Sequence, residues 1–178
     1  LIHWPVDHCI KVLCFFHPED SQDLRDEQIG KLRSAFDAAR KIGRELLVEI
    51  IASKHGQTRD DTMARALTEI YDARIKPDWW KLEPQKSAAA WAAIDGVIET
   101  RDPYCRGVVM LGLDAPQDEL AAGFAAAKSA RSVRGFAVGR TIFGEVARDW
   151  LNNKMSDEEA VAEMAKRFGA LVEIWERP

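Results

Sequence analysis

Five short apolar runs alternate with longer amphipathic segments along this chain, at a spacing of roughly 30 residues, the size of one βαβ unit. The apolar runs cover residues 9–16, 46–51, 78–83, 107–113 and 135–139. Between them the apolar positions recur at helical spacing. Leu24, Leu32, Phe36 and Ala39 make one stripe over 21–42, with Gly43 as the stop. Further helices are expected over 61–73, over 87–100 behind a Ser87 cap, after Pro116, and over 140–152. Ser156 and Glu159 form a capping box for a last helix that runs to 176. Near-continuous apolar strands that alternate with such helices require a parallel sheet covered by helices.

Two α/β architectures meet that requirement, an open doubly wound sheet and part of a (β/α)8 barrel. Five strands are too few to close an eight-stranded barrel, so length alone favours the open sheet. The residues inside the strands favour the barrel. No linker or low-complexity segment divides the 178 residues, and 1–178 reads as a single domain.

Three strands carry a charge where burial makes one costly. Lys11 lies in the first, Glu49 in the second and Lys81 in the third. Strand parity places Lys11 with Leu13 and Phe15, Glu49 with Leu47 and Ile51, and Lys81 with Trp79 and Glu83. In a barrel these positions converge on one axis, with Lys81 and Glu49 toward the strand ends where catalytic groups sit and Lys11 deeper. Burial favours the free amine of a lysine, which attacks a carbonyl, so two amines and a carboxylate suggest Schiff-base chemistry. For one such pair, an ion pair that only satisfies two charges is the simpler account. Three strands with the same feature favour function.

The last two strands end in Gly112 and in Gly139-Arg140. Free N–H groups at a helix start, beside an arginine, suit a phosphate, although a turn glycine and a surface arginine account for the pair equally well. His17 follows the first strand and is a candidate site residue, with a plain loop histidine as the simpler account. Glu83 joins the candidates through its shared face with Lys81. The histidines have no metal-ligand spacing, so neither metal nor cofactor is expected. Trp79, Trp80 and Trp91 are expected in the core.

The formal net charge of −4 gives no basic footprint for nucleic acid. No apolar run reaches the ~20 residues of a membrane span. Cys9, Cys14 and Cys105 are an odd count, so a reducing cytoplasm is expected and a disulfide framework is not.

In order along the chain stand Val-Leu-Cys-Phe-Phe-His-Pro, Leu-Leu-Val-Glu-Ile-Ile, Pro-Asp-Trp-Trp-Lys-Leu-Glu-Pro, Gly-Val-Val-Met-Leu-Gly-Leu-Asp-Ala-Pro and Gly-Phe-Ala-Val-Gly-Arg-Thr-Ile-Phe. This set resembles the aldolase-like domain of unknown function found fused behind 5-dehydro-2-deoxygluconokinase in bacterial inositol catabolism. More distantly it is similar to class I tagatose-1,6-bisphosphate aldolases, which are (β/α)8 barrels. The resemblance implies Lys81 as the imine-forming lysine, Glu49 as the acid/base carboxylate and Lys11 as a second lysine in the site. It implies Gly139 and Arg140 at a substrate phosphate.

The expected fold is therefore α/β, of (β/α)8 TIM-barrel type, with only the last five strand–helix units present and the N-terminal strands lacking. The expected activity is a metal-independent class I aldolase on a phosphorylated keto sugar acid. Lys11 is expected to act on Lys81 by repulsion. The competing account is a non-catalytic barrel appendage of a sugar kinase, fused or associated. An open barrel arc exposes edge strands, so a homo-oligomer is also expected.

Overall fold

A computed structural model describes residues 2–112 and 115–177. Five strands, β1 (Ile10–Phe15), β2 (Leu46–Ile51), β3 (Trp79–Leu82), β4 (Gly107–Leu111) and β5 (Val133–Ala137), form one sheet in the order β1-β2-β3-β4-β5. Every neighbouring pair is parallel. A doubly wound sheet needs a reversal of strand order, and there is none. The sheet is open, with β1 and β5 as its edges.

Helices α1 (Gln22–Lys41), α2 (Thr62–Asp72), α3 (Ala88–Arg101) and α4 (Gln117–Ala127) make the crossovers, and α5 (Arg140–Leu151) and α6 (Asp157–Glu176) follow β5. Right-handed crossovers to the adjacent strand put their helices on a single face. Burial agrees. Cys14, Val48, Ile50, Trp80, Leu82, Val108 and Met110 share a parity and pack with Leu32, Leu67, Ile70, Trp91, Ile94 and Phe124 from the helices. Trp80 is wholly buried, and its indole N–H donates to the Tyr71 hydroxyl at 2.7 Å. The opposite face carries Lys11, Leu13 and Phe15, all exposed on β1.

The caps follow local chemistry. Ala90 N–H donates to Ser87 Oγ at 3.1 Å. Ser156 and Glu159 exchange both bonds of their capping box, at 3.2 and 2.8 Å. Gly43 takes φ 63° just past α1, the left-handed position that ends a helix most cheaply in glycine.

Three expectations change. The fifth strand starts at Val133 and ends at Ala137, and Arg134 is an extra residue in it, opposite the step from Val108 to Val109 on β4. Gly139 therefore lies beyond the strand, as the N-cap of α5. Pro116 is the N-cap of α4 and not its first turn. Leu113, the expected end of the fourth strand, lies outside the described residues. Trp79 is only half-buried, its N–H donating to Glu45 Oε2 at 2.9 Å, while Trp80 and Trp91 are core residues. Among the described residues no helix is long and apolar enough to cross a membrane.

Candidate active site

The parallel register aligns Leu13, Glu49, Lys81, Val109 and Gly135 in one row across the face opposite the helices. Lys11 lies two residues before Leu13 on the same face. The three charged side chains meet. Glu49 Oε2 is 2.5 Å from Lys11 Nζ, and Oε1 is 3.4 Å from Lys81 Nζ. The Glu49 side chain is 7% exposed, that of Lys81 19% and that of Lys11 46%. Lys11 is thus more open than a buried strand would make it, because β1 is an edge.

The carboxylate stands between the two amines and attracts both. The expected repulsion between Lys11 and Lys81 thus acts across a carboxylate that both share. Glu49 Oε2 is buried and accepts no hydrogen bond of good geometry, so its contact with Lys11 is one of charge.

Glu83, expected near the substrate, is committed to the scaffold. Its Oε2 accepts from the N–H groups of Ala52 (2.8 Å) and Ser53 (3.2 Å), and its Oε1 accepts from the Ser53 hydroxyl. It fixes the chain as it leaves β2. His17 is likewise committed. Its Nδ1 accepts from Glu19 N–H at 3.1 Å, and its Nε2 meets the Gln57 carbonyl at 3.3 Å. Nδ1 braces the loop after β1, Nε2 ties that loop to the one after β2, and His17 is buried. The plain loop role fits it.

Gly112 abuts the next loop. A Cβ at this position would lie 2.9 Å from Val138 Cγ1, so glycine lets the ends of β4 and β5 approach. Gly139 caps α5 without a side chain, and its carbonyl accepts from Ile142 and Phe143 N–H at 2.8 and 3.1 Å. Arg140 is exposed at the first position of α5. Thr141 Oγ1 donates to the Ala115 carbonyl at 3.3 Å, joining this start to the loop after β4. The strand ends and this helix start thus lie side by side.

A cleft of about 980 Å³ opens beside the ends of β3 and β4, lined by Ser53, Arg59, Glu83, Lys86, Gly112 and Glu119 among others. Lys11, Glu49 and Lys81 do not line it. The charged row lies on the uncovered sheet face instead, apart from this cleft.

Residues 1–178 match the family described as "Uncharacterized protein conserved in bacteria (DUF2090)". The chain belongs to this family. No curated protein matches it. In this member of the DUF2090 family the charged row lies on β1, β2 and β3, and the start of α5 follows β5 at the other edge of the sheet.

The sequence reading missed one pair. His55 Nδ1 donates to Asp20 Oδ2 at 2.9 Å, across the loops after β1 and β2. No spacing announces it, since its members are 35 positions apart.

Proposed function

We propose that this chain is a class I, Schiff-base aldolase-type carbon–carbon lyase domain acting on a phosphorylated keto sugar acid in a cytoplasmic setting. The observation that carries the reading is the contact of Lys81 and Lys11 with one buried carboxylate, Glu49, on the uncovered face of a parallel sheet. The sequential strand order supports reading the sheet as an arc of a (β/α)8 barrel, with this face turned inward.

In this reading Lys81 condenses with the substrate ketone and releases water. The protonated imine is the electron sink for cleavage of the neighbouring carbon–carbon bond. Glu49 exchanges the proton at the carbon next to the imine. The uncapped start of α5, with Gly139 and Arg140, takes the phosphate. Gly112 acts beside it by permitting close packing. The family resemblance gives the substrate as 2-deoxy-5-keto-gluconate 6-phosphate and the products as dihydroxyacetone phosphate and malonate semialdehyde.

A second reading is favoured by the mutual neutralisation of the row. A carboxylate that satisfies two amines needs no substrate, and the sheet would then be a non-catalytic appendage or partner of a sugar kinase. Borohydride reduction in the presence of dihydroxyacetone phosphate separates the two. The aldolase reading expects a covalent adduct on Lys81, located by peptide mass. An adduct on Lys11 alone overturns the assignment, and no adduct at all favours the appendage.

A further inference from the structure

The loops that leave β1 and β2 build a titratable pair that none of the roles above uses. After β1, Asp20 N–H donates to the His17 carbonyl at 2.9 Å, and His17 N–H donates to Asp20 Oδ2 at 2.9 Å. After β2, His55 N–H donates to the Ala52 carbonyl at 3.0 Å. The two turns meet where His55 Nδ1 reaches the same Asp20 Oδ2, at 2.9 Å. Burial alone would raise the Asp20 carboxyl, but the hydrogen bonds from His55 and from His17 N–H outweigh it and hold the group below its ordinary range. An anionic acceptor at Nδ1 fixes a ring proton there and sets Nε2 on the far side of the ring. Nε2 has no hydrogen-bond partner among the described residues.

The imidazole lies against the Phe15 ring, with centroids 5.8 Å apart and planes 32° from parallel. Phe15 has the parity of Lys11 and Leu13, so the side chain that the imidazole lies against is on the face that holds Lys81. Phe15 pairs with Ile51, one rung beyond the Leu13–Glu49–Lys81 row. Strands ~4.8 Å apart and rungs ~6.6 Å apart put roughly 12 Å between the Phe15 and Lys81 backbones, a gap into which both side chains reach.

Direction completes the argument, and it rests on the imine reading above. With the phosphate at the start of α5, the imine on β3 and Glu49 on β2, a linear substrate runs across the sheet toward β1. Its next reactive group beyond the carbon served by Glu49 is the hydroxyl that becomes the aldehyde.

We propose that His55, oriented by Asp20, is the base that removes the proton of this hydroxyl. The O–H proton passes to Nε2 and the oxygen closes to a carbonyl. The carbon–carbon bond breaks, and its electron pair moves onto the iminium as a neutral enamine. The enamine takes a proton at carbon, and water releases the ketone and regenerates Lys81. The water lost in forming the imine is regained, so the sum is a cleavage with nothing oxidised or reduced.

The test compares wild type with His55→Gln in three assays: borohydride trapping with dihydroxyacetone phosphate, deuterium uptake from heavy water into that ketone, and condensation of the ketone with malonate semialdehyde. Trapping and uptake need Lys81 and Glu49 but no hydroxyl base. They are expected to persist, while condensation falls by ~10²–10⁴-fold. Unchanged condensation overturns the proposal, and so does a loss of all three in proportion, which would make His55 only a support of the site. His55→Asn, read by the same assays, serves if the glutamine variant does not fold. Absence of trapping in the wild type defeats the imine reading itself, and this assignment with it.

Discussion

Glu49 and Lys81 face each other in the β2–β3 register, and their side chains close to 3.4 Å over the sheet. Neighbouring parallel strands bring such a pair into reach without any loop, so its geometry is as rigid as the sheet. The second amine, from Lys11, enters diagonally from β1 onto the other carboxylate oxygen.

Removing the carboxylate tests whether this geometry serves chemistry or only charge balance. Glu49→Gln is expected to lower turnover by ~10²–10⁴-fold if the group transfers a proton. It also leaves two amines side by side. The stability loss should stay below the ~3–5 kcal/mol of a fully buried broken pair, because Lys11 is nearly half exposed and water screens it. Urea unfolding and steady-state rates on the same preparation separate the effects. Lost stability with intact turnover would assign the row to charge balance.

Arg140→Ala addresses the phosphate end. The expected result is a raised KM with a smaller change in the rate of imine trapping at saturating ketone. A variant that traps at wild-type rate and wild-type ketone concentration would remove Arg140 from the binding site.

Gly112 is a steric test. Its missing Cβ leaves room for Val138, whose Cγ1 and Cγ2 would lie 2.9 and 3.1 Å from an added methyl. Gly112→Ala should cost ~1–3 kcal/mol by overpacking, read from the urea midpoint. Val138→Ala in the same chain should recover most of it. Additivity of the two changes would refute the contact as the cause.

Asp20 sets an acid limb for stability. Its carboxyl is held below the ordinary range in the folded chain, burial notwithstanding, by His55 and His17 N–H. A group lowered on folding stabilises above its unfolded value, near pH ~4, and loses that contribution as pH falls through the lower folded value. Asp20→Asn should therefore destabilise at neutral pH and flatten the stability curve on the acid side. An acid limb identical to that of wild type would show that Asp20 gains nothing from its partners.

The charged row was legible because strand parity alone decides which side chains share a face. Lys11, Glu49 and Lys81 each interrupt an apolar run, and period-two alternation carries them to one side. The capping box at Ser156 was legible for the same reason, since its signal is local. The His55–Asp20 pair was not, because two turns must first be folded before they meet. The start of β5 was misplaced because Arg134 is an extra residue in β5 opposite the Val108–Val109 step of β4, and the polar residue hid the start of the strand. His17 and Glu83 were counted as binding groups on position alone; their hydrogen bonds within the protein became visible only in three dimensions.

The uncovered face has a consequence for assembly. Leu13 is 44% and Phe15 41% exposed on β1, and β1 and β5 each present an unpaired ladder edge. Edges of this kind template pairing with another chain, and apolar groups beside them add area to bury. The isolated chain is expected to associate with itself, so light scattering should report a mass above that of one chain, rising with concentration. Leu13→Lys, which puts a second charge beside Lys11 on the edge strand, should weaken the association without changing the helix content seen by circular dichroism. A monodisperse single chain that unfolds cooperatively at high concentration would mean that this face is stable in water as it stands, and the case for a barrel arc would lose its main physical support.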